Sequence, residues 1–226
     1  MGFRDLMAPP AARQQSVSFD CSRHGTEKGY ALVDAQLRER LLDMAAEQRR
    51  VHTELTQTGE IYQGRPLTPR LDEVIRRHAA ALEAILEQRG WPGKSLVGED
   101  GSHAAWLVLQ HAIARPDVQR RGLLLLRAAV AEGEAAPAQA AYLEDKICFW
   151  ERRPQRYGTQ FDWDAEGRMS PWMLADPERV DEYRSAVGLG PLQEKIEQFG
   201  RDEHRPADYE RYQQELVAWA KSVGWL

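Results

Sequence analysis

The sequence predicts a mainly α-helical fold, an orthogonal or antiparallel helical bundle with one small β-hairpin. Apolar residues recur at spacings of three and four along most of the chain, which is the period of an amphipathic helix. Glycine and proline interrupt this pattern at intervals of helix length. Near 157–172 the pattern instead alternates, as it does in strands. With 226 residues, 42% of them hydrophobic, the chain is long enough to bury a substantial core.

The first helix is predicted over 30–57, where apolar residues form one stripe that Gln48 interrupts. Gln48 is therefore expected on the face that meets the core. The second helix is predicted to begin at Thr68, since threonine is a common N-cap, with Pro69 in its first turn. Gly90 is expected to end it.

The third helix is predicted from Ser102 to about Arg115, after a glycine-containing loop over 91–101. This helix is apolar nearly all round, and such helices are usually central and buried. It nevertheless carries Gln110 and His111. A buried polar group costs about 1–3 kcal/mol unless it is hydrogen-bonded, so both side chains are expected to find partners on neighbouring elements.

The fourth and fifth helices are predicted to begin at Pro116 and Pro137, and their short connections favour antiparallel packing. The hairpin follows, with strands within 157–163 and 168–172. Further helices are predicted at 176–188, 191–199 and about 206–223, the last after a polar break at 200–205. The predicted organisation is a flexible N-terminal arm at 1–29, a helical domain at 30–200 with the hairpin near 157–172, and a C-terminal helix within 201–226.

The charge of the chain argues against nucleic acid as a partner. The net charge is −5, whereas a general nucleic-acid binder needs a surplus of lysine and arginine. No apolar run approaches the roughly 20 residues that cross a membrane, so no membrane partner is expected. Residues 1–29 lack the apolar segment of a signal peptide, and a cytoplasmic location is expected.

Several short motifs occur in order between about 91 and 192. They are Trp91-Pro92-Gly93, Gln110-His111, Ala141-Tyr142-Leu143 with Asp145, Tyr157-Gly158-Thr159-Gln160, and Asp176-Pro177 with Gly188-Leu189. In these motifs the span resembles a bacterial family classed only as a domain of unknown function. The resemblance implies an α-helical fold and no particular activity. The chain differs from the family pattern at Ile113, where aspartate is usual, and at Lys146, where arginine is usual.

His111 is the leading candidate for a functional residue, and two interpretations of it stay open. It belongs either to a structural network that fixes helix packing, or to a pocket in which it is the general acid or base. Histidine suits the second role because its unperturbed pKa lies near neutrality. Gln48 is expected to join the same buried network.

The fifth helix and the hairpin supply the other candidates. The segment 157–160 either forms a turn that positions the hairpin or a wall that orients a substrate. Asp145 and Lys146 point about 100° apart on their helix, and they are either surface charges or functional groups. The catalytic candidates are His111, Tyr157 and Asp145, and the substrate-binding candidates are Gln110, Gln160, Thr159, Gln48, Lys146 and Trp106. His111, Gln110, Tyr157, Gln160 and Asp145 are expected to converge on one pocket.

No motif for a metal or cofactor is present, so neither is expected. The sequence lacks His-Glu-x-x-His, paired cysteines, a phosphate loop, a dinucleotide fingerprint and a Gly-x-Ser-x-Gly elbow.

Two functions from different classes remain. The first is a metal-independent enzyme that uses acid–base chemistry on a small polar molecule, by hydrolysis, elimination or intramolecular ring closure, as in specialised-metabolite biosynthesis. The second is a non-catalytic binding or adaptor protein. Its basis is Trp219 and Trp225, which are expected to be exposed and to support a homo- or hetero-oligomer through the C-terminal helix. An enclosed pocket lined by His111 favours the enzyme, and a fully packed His111 beneath a flat surface favours the adaptor.

Overall fold

The computed structural model describes residues 33–60, 67–199 and 208–226, which form eight helices and a two-stranded sheet. The predicted mainly α fold with a small hairpin is confirmed. The N-terminal arm predicted at 1–29 and the polar break at 200–205 lie outside the described residues. The elements are α1 (Ala35–Gln57), α2 (Pro69–Arg89), α3 (Lys94–His111), α4 (Pro116–Ala131), α5 (Pro137–Trp150), β1 (Phe161–Trp163), β2 (Met169–Pro171), α6 (Val180–Ala186), α7 (Leu192–Phe199) and α8 (Tyr209–Val223).

Local capping explains where α1 and α2 begin. The Asp34 carboxylate accepts a hydrogen bond from the backbone N–H of Leu37 at 3.0 Å. The Thr68 hydroxyl, as predicted, accepts from the backbone N–H three residues later, at 3.4 Å. Both bonds satisfy N–H groups that a helix leaves without partners in its first turn. Gly90, with φ 71°, ends α2 as predicted.

The prediction of a loop over 91–101 and a helix from Ser102 is wrong, because α3 already begins at Lys94. Glu134, in the connection between α4 and α5, supplies the cap that Gly93 cannot. Its backbone carbonyl accepts from Lys94 N at 3.1 Å, and its carboxylate accepts from Ser95 N at 2.8 Å. Gly98, with φ 76°, kinks the helix where the sequence suggested a loop. The C-terminal end also differs, because α3 stops at His111 rather than near Arg115.

Helix α3 lies at the centre of the domain, as its all-round apolar pattern predicted. It contacts α1, α2, α4 and α5. Its approach to α4 is close at Gly122, where an added Cβ would lie 2.6 Å from the Leu109 side chain. Because the C-terminal half of α3 is surrounded, the polar side chains of Gln110 and His111 must find partners inside the protein.

The hairpin pairs β1 with β2 in antiparallel register, with Phe161 opposite Pro171. It forms a second, smaller apolar cluster with the two short helices that follow. The buried members of this cluster are Phe161, Met169, Val180 and Leu192. Helix α6 begins at Val180 rather than at the predicted Asp176, after a turn over 177–179.

The C-terminal helix α8 packs against the helices of the preceding domain, so the expectation of exposed terminal tryptophans is wrong. Trp225 is only 3% exposed, and its indole N–H donates to the backbone carbonyl of Ile113 at 2.7 Å. Trp219 is half-buried and its ring lies 5.0 Å from that of Trp150. The division of the chain at 201–226 stays a prediction. Within the described ranges, no helix is both long and apolar enough to cross a membrane.

Candidate active site

The centre of the candidate site is a hydrogen bond between His111 and Gln48. His111 is the last residue of α3 and is 1% exposed, and its Nδ1 lies 2.9 Å from Gln48 Oε1. Gln48 occupies the core-facing stripe of α1, where the periodicity of the sequence predicted it. With the Gln48 oxygen as acceptor, Nδ1 carries the ring proton, which leaves Nε2 as the basic nitrogen.

Burial lowers the pKa of His111 well below its usual value. Desolvation of the imidazolium is the main cause, and electrostatic interactions with Lys146, His52 and Arg49 act in the same direction. The ring is therefore neutral at pH 7. A neutral imidazole with a fixed tautomer is the form that serves as a general base.

Lys146, on α5, reaches the same region of the core. It is 2% exposed, and its Nζ donates to the backbone carbonyl of Gln110 at 3.4 Å. Burial lowers its pKa to about 7, so the ammonium and the neutral amine are present in similar amounts near neutral pH. In the part of the chain that the structure describes, Lys146 forms no ion pair.

Gln110 lies beside His111 and is 0% exposed. Its backbone carbonyl accepts from Lys146 and also from the Gln119 amide at 3.0 Å. Neither polar atom of its side-chain amide has a hydrogen-bond partner among the described residues, and the same holds for Gln48 Nε2. Buried amides without partners each cost about 1–3 kcal/mol, so a network with only a structural role is expected to satisfy them. We call Gln48, Gln110, His111 and Lys146 the polar cluster.

Asp145 belongs to a different set of contacts. Its carboxylate accepts from the backbone N–H groups of Arg156, Tyr157 and Thr159 at 2.9 to 3.1 Å, and from the Thr159 hydroxyl at 3.0 Å. Burial raises its pKa, and these hydrogen bonds act in the opposite direction. Asp145 thereby ties the segment that leads into the hairpin to α5.

The segment 157–160 is organised by these bonds and by hydrogen bonds of its own Thr159 and Gln160 side chains. The Gln160 amide donates to the Thr159 hydroxyl at 3.0 Å. The backbone carbonyl of Tyr157 accepts from Arg184 at 2.8 Å, while its half-buried ring lies beside Arg156. Gly158, with φ 62°, permits the turn.

The contacts thus divide the predicted site residues into two groups. The first group is the polar cluster, which includes His111. The second group, which we call the hairpin anchor, consists of Asp145, Tyr157, Thr159 and Gln160. The groups meet on α5, where Asp145 and Lys146 are adjacent and point to different partners, as the helical geometry predicted. The convergence of both groups on one pocket stays a prediction.

Trp106 belongs to the same helix as Gln110 and His111. It is half-buried on α3, one turn before Gln110, and its indole N–H donates to the Gln139 carbonyl at 3.0 Å. Its ring meets the half-buried ring of Tyr142 edge-on, with 6.2 Å between centroids. Tyr142 is one turn before Lys146 on α5. The two rings therefore contact each other between α3 and α5, each one turn before a member of the polar cluster.

Sequence reasoning missed three residues around the cluster. His52 lies one turn after Gln48 on α1 and is buried, and that spacing could have revealed it. Tyr142 appeared in the sequence only within the Ala141-Tyr142-Leu143 motif, not as a site residue. Gln119 is fully buried and binds the carbonyls of Leu109 and Gln110, which no local pattern indicates.

The described residues contain no group of three histidine, cysteine, aspartate or glutamate side chains that could hold a metal ion. A family model described as a family of unknown function, DUF6624, matches residues 28–203. Neither a curated protein nor a solved structure matches the chain.

Proposed function

This chain belongs to DUF6624, a family of unknown function, and we propose from its polar cluster that it is an enzyme that transfers protons on a small polar molecule. The reaction class is hydrolysis, elimination or intramolecular ring closure, with side chains rather than a metal ion as the acid and base. The observation that carries the proposal is a neutral, oriented histidine beside buried amides that have no partner in the described part of the chain.

In this proposal His111 is the catalytic residue. Its Nε2 accepts a proton from the substrate and returns it to the leaving group or to a second atom of the substrate. Gln48 fixes the tautomer through Nδ1. The amides of Gln110 and Gln48 offer hydrogen bonds that orient the substrate, and Lys146 stabilises negative charge as it develops.

The surrounding residues position this machinery. The substrate approaches between α3 and α5, where the rings of Trp106 and Tyr142 are half-buried and move aside. Asp145, predicted from sequence as catalytic, is a positioning residue here, because its carboxylate is occupied by the backbone of the hairpin anchor. Tyr157 and Thr159 belong to the same anchor.

The test is a screen for turnover with two matched variants. The protein is incubated with a pool of small polar metabolites in deuterated buffer, and mass spectrometry follows loss of substrate, gain of product and deuterium uptake. We expect His111→Gln to abolish the change, because glutamine keeps a donor for Gln48 but has no basic nitrogen. His78→Gln is the control, since His78 is also buried and hydrogen-bonded to α1, through Glu47 at 2.9 Å.

Equal turnover by the wild type and by His111→Gln would contradict the role of His111.

A compound that binds but is not converted would support the alternative function, a non-catalytic binding or adaptor protein. That alternative is favoured by the nearly complete burial of His111. Its other basis is weakened, because Trp225 is used inside the chain. Assembly through α8 predicts a dimer or larger species in sedimentation velocity, and a monomer at tens of micromolar would refute it.

A further inference from the structure

Lys146 is a buried amine whose protonated form meets no anion among the described residues. Its neighbour Asp145 is the nearest carboxylate in sequence, but that carboxylate faces the hairpin anchor. The only hydrogen bond that Lys146 makes among described residues is to a neutral carbonyl at 3.4 Å. Buried charges in proteins are ordinarily paired, so the ammonium lacks its usual partner.

Three basic side chains act on His111 in the same direction. They are Lys146 from α5 and Arg49 and His52 from α1, and each lowers the pKa of the His111 imidazole. From α4, Gln119 contributes a neutral amide. The basic character of these side chains favours an anion over a cation in this region.

The hydrogen-bonding groups in the cluster are also suited to an anion. The Lys146 ammonium has three donors and makes a single long bond. The side-chain nitrogens of Gln48 and Gln110 have no acceptor within the described ranges. A carboxylate presents two oxygens with about four acceptor positions, which matches this set of donors.

We infer that the cluster binds a small monoanionic carboxylate group, held by Lys146 and oriented by the amides of Gln48 and Gln110. This inference rests on the proposed function in taking the cluster as a small-molecule site, and it assigns a carboxylate to the substrate. A single negative charge balances the single buried ammonium, whereas a dianion such as phosphate leaves one charge uncompensated in the core.

Acetate is the probe, and acetamide is its neutral counterpart of the same shape. Side-chain amide signals of Gln48 and Gln110 are followed by NMR during each titration at pH 6. We expect acetate to shift these signals saturably and acetamide to leave them unchanged. Lys146→Met removes the acetate response, and Lys221→Met, at an exposed lysine of α8, keeps it.

The dependence on pH adds a readout specific to the ammonium. Because the pKa of Lys146 without acetate is about 7, the affinity for acetate falls about tenfold from pH 6 to pH 8 as the protonated form that binds acetate is depleted. Lys146→Arg keeps its charge throughout and binds acetate with little change over this range.

Equal responses to acetate and acetamide, or acetate binding that survives Lys146→Met, would overturn the inference. The two proposals fail separately. Turnover of a neutral substrate that depends on His111, without acetate binding, removes the carboxylate assignment and keeps the enzyme. Acetate binding at Lys146 without turnover of any compound keeps the anion site and removes the catalytic proposal.

Discussion

Replacing Lys146 by methionine is expected to stabilise the protein, with a gain that depends on pH. Burial lowers the pKa of Lys146 from 10.5 to about 7. At 1.36 kcal/mol per pKa unit, this shift corresponds to a cost of about 5 kcal/mol for burying the ammonium. Methionine has a similar shape and carries no charge. Replacing buried charges by apolar residues of similar volume often stabilises by about 1–4 kcal/mol.

The sign of the pH dependence follows from the two protonation states. Below pH 7 the lysine is protonated in the folded and the unfolded chain, so the folded protein bears the whole cost. Between pH 7 and 10.5 the unfolded chain keeps a proton that the folded protein has lost, and stability rises with pH. The advantage of Lys146→Met is therefore largest at pH 6 and shrinks by up to about 1.4 kcal/mol per pH unit above pH 7.

Urea denaturation at pH 6, 7, 8 and 9 measures this difference directly. Groups shared by both proteins cancel in the comparison, and Lys221→Met supplies a control at an exposed position. For this control, the difference in free energy of unfolding from the wild type is expected to stay constant between pH 6 and 9. The reasoning would be refuted if the difference in free energy of unfolding between Lys146→Met and the wild type stayed constant over this range. It would also be refuted if Lys146→Met were less stable than the wild type at pH 6.

Three further perturbations test the contacts around the site. His111→Gln is expected to make the stability of the protein less sensitive to acid. Burial lowers the pKa of His111 in the folded protein, so the free energy of unfolding of the wild type falls by up to about 1.4 kcal/mol per pH unit below about pH 6.5. Urea titrations of both proteins at pH 7, 6 and 5 measure this difference. Asp145→Asn is expected to cost about 3 kcal/mol and to speed amide exchange at 156–159, while Glu144→Gln, which loses a surface ion pair, costs at most about 1 kcal/mol. Trp225→Ala is expected to cost about 3–5 kcal/mol in the same assay, because it removes a buried ring and leaves a carbonyl at the end of α3 without its donor.

Each of these predictions has a clear contrary result. An unchanged acid slope in His111→Gln would mean that this histidine is not held neutral by burial. Equal losses for Asp145→Asn and Glu144→Gln would mean that the buried carboxylate does not secure the hairpin anchor. A Trp225→Ala variant as stable as the wild type would mean that the C-terminal segment does not support α3.

The sequence by itself determined most of the helices and the hairpin. These elements follow from local information, such as the apolar period, the N-cap at Thr68 and the glycine at position 90. The sequence also indicated that α3 is central and that Gln48 faces the core. The hydrogen bond between His111 and Gln48 fits that indication, because a buried polar residue on one helix needs a partner on another.

Only the tertiary structure decided where α3 begins and which site residues meet. The Glu134 carboxylate that accepts from Ser95 N at the start of α3 is 39 residues away in sequence. The Trp225 indole that donates to the Ile113 carbonyl is 112 residues away. The orientation of α5 about its axis directs Asp145 to the hairpin anchor. It places Lys146 in the core, where no described carboxylate pairs with it. Local propensity and periodicity cannot report such pairings, because they depend on how whole helices pack and on the direction in which each packed helix aims its side chains.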